Sequence, residues 1–376
     1  MSKVDFSDPL FFLNVIGMHP FKNDRVSKLR RAFSLTVYAI TIFSGVMELG
    51  FNSEGLETYA RASESMVPQT QLVVKMVVLI VHRRQIGQLL KDSGRFWALD
   101  VFGSQYKDSF SRVHHFLKRF FLLYKTMIIF TCLQFLAVKI VFKIKKPVCI
   151  SYGESEGLEA PYEQMYLILH ISITLVSINV INGFDGLFFY FIGHILSELQ
   201  MVKVAFGNYN IGTPWNERTR FRMTAKHHSR VLEFVQHFNS VFSVVLLVQH
   251  MSCLFGICFG LFLMSKDGLP PDVDRASKYI PYIVSFILQT FTFCFGGHIL
   301  TDWSLEIPQE IFYNDWAKDY DYENRLGRVI SIKRGQKAAK LTLGDFGALD
   351  LESFKLVMQK AFSFFTFINT MIAEVN

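Results

Sequence analysis

The chain lacks the short motifs on which most enzymes are built. It has no His-Glu-x-x-His or Cys-x-x-Cys spacing, no Gly-x-Ser-x-Gly elbow and no glycine-rich phosphate loop. Zinc hydrolysis, serine-type acyl transfer and phosphoryl transfer therefore have no visible machinery. The pairs His114-His115 and His227-His228 fall in stretches that read as basic loops. Cysteine is scarce: there are 5 in 376 residues, with Cys132, Cys253, Cys258 and Cys294 in apolar runs and only Cys149 in an expected external loop. That usage excludes a disulfide framework. No Asn-x-Ser/Thr glycan acceptor occurs. A cleaved leader is not expected either, because Met1 to Phe21 mixes Asp5, Asp8 and Pro9 into its apolar run without a basic start.

What is abundant is apolar surface. The chain is 51% hydrophobic with 39 phenylalanines and a mean hydropathy of +0.26, beyond the roughly 45–50% apolar share of soluble domains. A membrane-crossing helix needs about 20 mostly apolar residues to span a core about 30 Å thick. Seven stretches qualify: Ala32 to Phe51, Ala62 to His82, Phe120 to Phe142, Met165 to Ile192, Phe238 to Met264, Tyr279 to Leu300 and Leu351 to Ala373. The reading is an all-α membrane protein with seven transmembrane helices. Pro68, Gln69, Gln71 and Lys75 interrupt the second span, and a span so studded faces protein or a cavity rather than lipid. The fourth and fifth exceed the bilayer, which predicts tilt or continuation as helix into the cytosol.

Orientation follows from Lys and Arg in the connections. The N-terminal segment and the second, fourth and sixth connections hold 27 of them, against 7 in the first, third and fifth connections and the C-terminal tail. This places the N-terminus in the cytosol and, after seven crossings, the C-terminus outside. The net charge of +7 is then a property of loops beside anionic inner-leaflet lipid, with acids interleaved, and it implies no nucleic-acid partner. Nothing of domain size follows the last span, so the work is expected to be done within the bilayer.

From the sixth span onward a set of residues recurs in a recognisable order. Cys294-Phe-Gly296-Gly-His298-Ile-Leu300 and Glu306 precede Ile311-Phe312-Tyr313-Asn-Asp-Trp316 and the run Lys333-Arg334-Gly-Gln336-Lys337. Then come Leu341-Thr342-Leu343-Gly344-Asp345-Phe346, Leu351-Glu352-Ser353-Phe354 and Ser363-Phe364-Phe365-Thr366. This resembles the C-terminal signature of insect odorant receptors, and Asp185-Gly-Leu187, His194 and Leu199 resemble the family's fourth span. Ala338, Ala348, Phe362 and Phe364 depart from residues often found there, Pro at the first two and Tyr at the others. The large second cytosolic insertion of the family's shared co-receptor is absent, so the chain looks like an odorant-specific tuning subunit.

The resemblance implies an odorant-gated, non-selective cation channel in the plasma membrane of olfactory sensory neurons. It implies a heteromeric tetramer with the insect olfactory co-receptor, a small volatile as ligand, permeating cations and no cofactor. A gustatory-type receptor channel is the nearest alternative. A G-protein-coupled receptor is more distant, given the reversed orientation and the lack of Asp-Arg-Tyr and Asn-Pro-x-x-Tyr. Residues 1–300 would hold the odorant pocket, 301–350 a cytosolic assembly segment and 351–376 the pore helix.

An odorant site wants apolar and aromatic walls with a few orienting polar groups. Met66, Gln69, Val73, Thr131, Phe135, Val138, Leu169, His170, Ile173, Thr174, Tyr282 and Phe286 lie in the outer halves of spans two, three, four and six. His170 and Thr174, one turn apart, can offer a hydrogen-bonding edge beside Phe135 and Tyr282 to an aromatic ligand. In the last span Phe364, Phe367, Ile368 and Met371 share a helical stripe. A ring of such side chains closes a pore by dewetting, with Phe367 and Met371 narrowest, although the same stripe would also serve to pack on neighbours. Trp316 and Tyr313 are the expected assembly anchors.

Overall fold

A computed structural model describes residues 5–51, 56–98, 101–102, 104–141, 162–207, 217–265, 270–313 and 322–375. Among them the chain folds into ten helices: α1 Ser7–Val15, α2 Arg25–Phe51, α3 Leu56–Val81, α4 Arg83–Ser93 and α5 Ser104–Val141 come first. Then follow α6 Tyr162–Gly207, α7 Glu217–Ser265, α8 Val273–Tyr313, α9 Tyr322–Gly335 and α10 Leu351–Val375. The seven expected spans fall on α2, α3, α5, α6, α7, α8 and α10. By length and apolarity alone four of the described helices qualify as crossings: those of α3, α6, α7 and α8.

The overlong spans resolve as continuous helices. α6 has 46 residues and α7 has 49, which at about 1.5 Å per residue is more than twice the hydrocarbon thickness. No strong breaker interrupts either, so both run well past the apolar core. The stretch holding His227 is accordingly helix rather than loop. Its ring is buried against Trp97, stacked at 3.8 Å, and bonded to the Glu198 carboxylate at 2.6 Å. α8 likewise runs through residue 300, so the boundary expected there falls inside a helix. Within it the Pro308 ring packs on Gly335 of α9, where a Cβ would stand 2.9 Å from the ring.

The main core is phenylalanine. Phe184, Phe188 and Phe191 of α6 meet Phe238 and Phe242 of α7 and Phe293 of α8, with all six side chains fully buried. Their centroids stand 4.4 Å (Phe238 and Phe242) to 6.4 Å (Phe191 and Phe242) apart, within the range of attractive tilted and edge-on pairs. A second cluster joins α7, α8 and α10 through Ile257, Ile283, Phe286, Val357 and Ala361. Close approach of α7 and α8 there needs Gly256 and Gly260. A Cβ on either would stand 2.9 Å from Phe286 or Ile283, as expected of a small-xxx-small face.

The Leu341 to Phe346 stretch is the mount of the last helix. Leu349 N donates to Leu341 O at 2.8 Å and Leu343 N to Gly347 O at 2.9 Å, closing a small antiparallel loop. Gly344 turns it at φ +55°, a left-handed conformation that glycine adopts without strain. Asn239 of α7 pins it through Thr342 N at 2.8 Å. Asp350 then caps α10, accepting from Ser353 N at 2.8 Å.

Candidate functional site

Between α3, α5, α6 and α8, with Tyr38 of α2 at one side, lies a cavity of about 160 Å³. Leu72, Ile128, Ile173, Ile181 and Phe286 give it an apolar wall. Tyr38 and Ser177 close the α2 side through a hydroxyl pair at 2.6 Å. Glu64, Gln69, Gln71, His170, Tyr282 and Gln289 supply the polar positions.

Prolines shape two of these walls. Pro68 has no N–H to give to the carbonyl of Glu64 four residues back, and the Tyr282 hydroxyl of α8 donates to that oxygen instead at 3.0 Å. Pro281 similarly releases the carbonyl of Ser277, which accepts from Gln134 Nε2 of α5 at 2.6 Å. Each freed backbone oxygen is thus satisfied by a neighbouring helix.

Beside the cavity a polar network runs through the apolar bundle. Lys75 of α3 and Asp185 of α6 form an ion pair at 2.7 Å with both side chains fully buried. Tyr124 of α5 and Gln289 of α8 donate to the other carboxylate oxygen at 2.6 Å and 2.7 Å. Gln289 Oε1 in turn accepts from Gln71 at 3.1 Å and from Gln249 of α7 at 2.9 Å, and Gln71 also donates to Gln249. Lys75 also stands 5.6 Å and 5.7 Å from the rings of Phe184 and Phe293. One network therefore ties five helices together, and Gln71 and Gln289 belong both to it and to the cavity wall.

Seven of the expected ligand positions come together in that wall: Gln69, Thr131, His170, Ile173, Thr174, Tyr282 and Phe286. The Thr174 hydroxyl is committed to the carbonyl of His170 at 2.9 Å, so its proton is used within α6. Met66, Val73 and Leu169 stand outside the wall. Met66 packs toward Gly45 of α2, while Val73 and Leu169 are partly buried against the main hydrophobic cluster. Val73 is turned about 100° from Leu72 around α3, enough to move it off the cavity face. The side chains of Phe135, Val138 and Met371 lie outside the described residues, as does the whole of Trp316. Sequence reasoning noted Gln71 as an interruption of its span that should face protein or a cavity, but did not name Glu64, Leu72 or Gln289 for the site. The usable signal was that a polar residue in an apolar span must find a partner or a cavity.

On α10 the expected stripe divides. Phe364 and Phe367 are exposed, with rings 6.4 Å apart. Ile368 instead packs with Phe365 against the second cluster. The exposed face also carries Lys355, Gln359 and Lys360, so it is polar in one half and apolar in the other. Tyr313 is 82% exposed beside Phe312.

A bundle of helices of membrane-crossing length around a cavity of small-molecule size defines a multi-pass membrane protein. The sequence model described as 7tm Odorant receptor matches residues 58–362, and the chain belongs to the odorant receptor family. Odorant receptor 85c of Drosophila melanogaster is 28% identical over 42% of this chain and 40% of its own length. Odorant receptor 85b of the same fly is 28% identical over 48% and 45%. The matched part thus spans less than half the length of these curated relatives. In fold the chain is similar to the insect olfactory receptor OR5 from Machilis hrabei in complex with eugenol. That likeness has a TM-score of 0.85 over 99% of this chain and 98% of the other, at 14% identity. A second structure of that receptor gives a TM-score of 0.83.

Proposed function

We propose that this chain is the odorant-specific subunit of an odorant-gated, non-selective cation channel, working in a heteromeric tetramer with the insect olfactory co-receptor. The observation that carries the reading is that one chain combines a largely apolar cavity between its helices with a last helix whose one face has no partner within the described chain. The cavity takes a small volatile from the membrane or its surface. Gln69, His170, Ile173, Thr174 and Tyr282 contact it, and Phe135 and Val138 are assigned the same role. The free face of α10 lines a shared pore, with Phe364, Phe367 and Met371 as its apolar gate. Cations pass when the subunits tilt and that ring rehydrates.

Family membership and the fold likeness to a receptor solved with eugenol support the ligand side of this reading. The exposed Phe312, Tyr313, Tyr322, Leu326 and Ile330 support the assembly side, because large apolar side chains gathered near the α8 and α9 ends suit burial against a neighbouring subunit. Trp316 is assigned to the same interface, and residues 301–350 act as the assembly segment below the pore helix. The charge asymmetry supports a cytosolic N-terminus and an external C-terminus, and family membership supports a setting in the plasma membrane of olfactory sensory neurons.

The test is expression in oocytes with and without the co-receptor under a broad volatile panel. Odorant-evoked cation current is expected only from the pair. Current from the chain alone, or a response that needs a G protein, would overturn the heteromeric reading. Phe367→Cys and Met371→Cys in the pair should make the current sensitive to a thiol reagent applied from outside, and indifference of both would remove them from the pore.

A further inference from the structure

We infer that the ligand of this cavity carries a hydroxyl group, an alcohol or phenol on a compact hydrocarbon body, read by Gln69 and Glu64. The inference rests on the cavity being the odorant site and narrows its chemistry. Gln69 is 3% exposed and lines the cavity, and neither its amide oxygen nor its amide nitrogen meets a partner. A buried amide left so bears the full desolvation penalty of both atoms. Glu64, 2% exposed in the same wall, gives one carboxylate oxygen to Lys278 at 3.3 Å, and its other oxygen is unpartnered. Two residues of one cavity wall thus hold three buried polar atoms whose bonding capacity is unused.

The chemistry of those atoms selects the ligand. Glu64 Oε1 accepts when the carboxyl is ionised and can donate when it carries the proton, so it takes a partner able to do either. Lys278 already balances the carboxylate's charge, which leaves an ammonium ligand little to gain. A ketone, ester or ether brings lone pairs alone and can answer only a donor such as the Gln69 amide nitrogen, leaving the acceptors without a partner, and a hydrocarbon leaves all three atoms bare. A hydroxyl is the smallest group that both donates and accepts, and it suits the Gln69 amide whichever way that amide is turned. The remaining wall, Leu72, Ile128, Ile173 and Phe286, suits a hydrocarbon. The cavity's 160 Å³ is close to the roughly 150 Å³ apolar cavity known to take benzene, so the body is one ring or a chain of similar volume.

The experiment compares matched skeletons on the co-expressed pair: phenylethanol, its methyl ether, phenylacetaldehyde and propylbenzene, then heptanol, methyl hexyl ether, heptanal and octane. In each set the alcohol should act at a concentration about five- to tenfold below its ether, the factor that one net hydrogen bond supplies. Gln69→Leu should bring that ratio close to one, and Gln69→Met makes the same test should the first variant not reach the cell surface. The same compounds are also added to the purified chain in detergent, where the alcohols should raise the melting temperature more than their ethers. Equal potency of alcohol and ether, or a ratio unchanged in the variants, would overturn the inference while leaving the channel reading intact. If no compound of any class evokes current, the channel reading fails. The melting shifts then decide the hydroxyl preference by themselves, with equal shifts overturning it.

Discussion

α3 carries two polar clusters within eleven residues of each other, and their hydrogen-bond accounts are opposite. Gln71 and Lys75 point into a network in which the ion pair is supported by two further donors, Tyr124 and Gln289, with Gln71 and Gln249 bonded in turn to Gln289. Glu64 and Gln69, nearer the helix start, keep three buried atoms without a partner. Both clusters sit among apolar side chains, so desolvation presses on both alike. Full satisfaction marks the first as architecture, because a buried charge persists only where its partners fix it. Incomplete satisfaction marks the second as a surface awaiting something from outside the chain.

Breaking the first cluster should have the largest effect. Asp185→Ala strands the Lys75 ammonium and should cost about 3–5 kcal/mol, read as loss of folded protein at the cell surface and a lower melting temperature. Pairing Asp185→Leu with Lys75→Met should recover most of that, since exchanging a whole buried pair for apolar side chains is far milder than removing one partner. Stability that stays lost in the double variant would show that the network does more than balance charge. Tyr124→Phe deletes one hydrogen bond to the carboxylate and should cost about 1.5–3 kcal/mol by the same thermal assay. The smallest effect has the opposite sign: Gln69→Leu should raise the melting temperature of the ligand-free chain, a gain of roughly 1 kcal/mol from removing an unsatisfied amide. A destabilised Gln69→Leu would erase the contrast between the two clusters.

The sequence made some of this legible and hid the rest for a physical reason. Apolar run length located all seven long helices, and the excess length of α6 and α7 was visible as extra span. The periodicity of one helix reveals its faces but not its rotation against neighbours, so Val73 and Leu169 were placed beside Gln69 and His170 although neither lines the cavity. Lys75 stood out only as an interruption of its span and Asp185 only through the resemblance of Asp185-Gly-Leu187 to the family's fourth span. Their pairing across 110 residues is tertiary information. Gln249 and Gln289 carried the same signal and drew no notice, although glutamine in an apolar run has to be answered by something. Ile368 was grouped with Phe364 because the two are four residues apart, and the packing of α10 on α7 and α8 separates them.

Tyr282 follows Pro281 directly and holds the oxygen that Pro68 released. A helix bends at proline more cheaply than elsewhere, since no ladder bond has to break there. α3 and α8 are therefore jointed rods whose joints share a pin, and swinging one swings the other. Gln134 of α5 clamps the second joint at Ser277, so three of the four walls of the cavity are mechanically linked. Anything wedged between them works against a hinge rather than against three stiff cylinders.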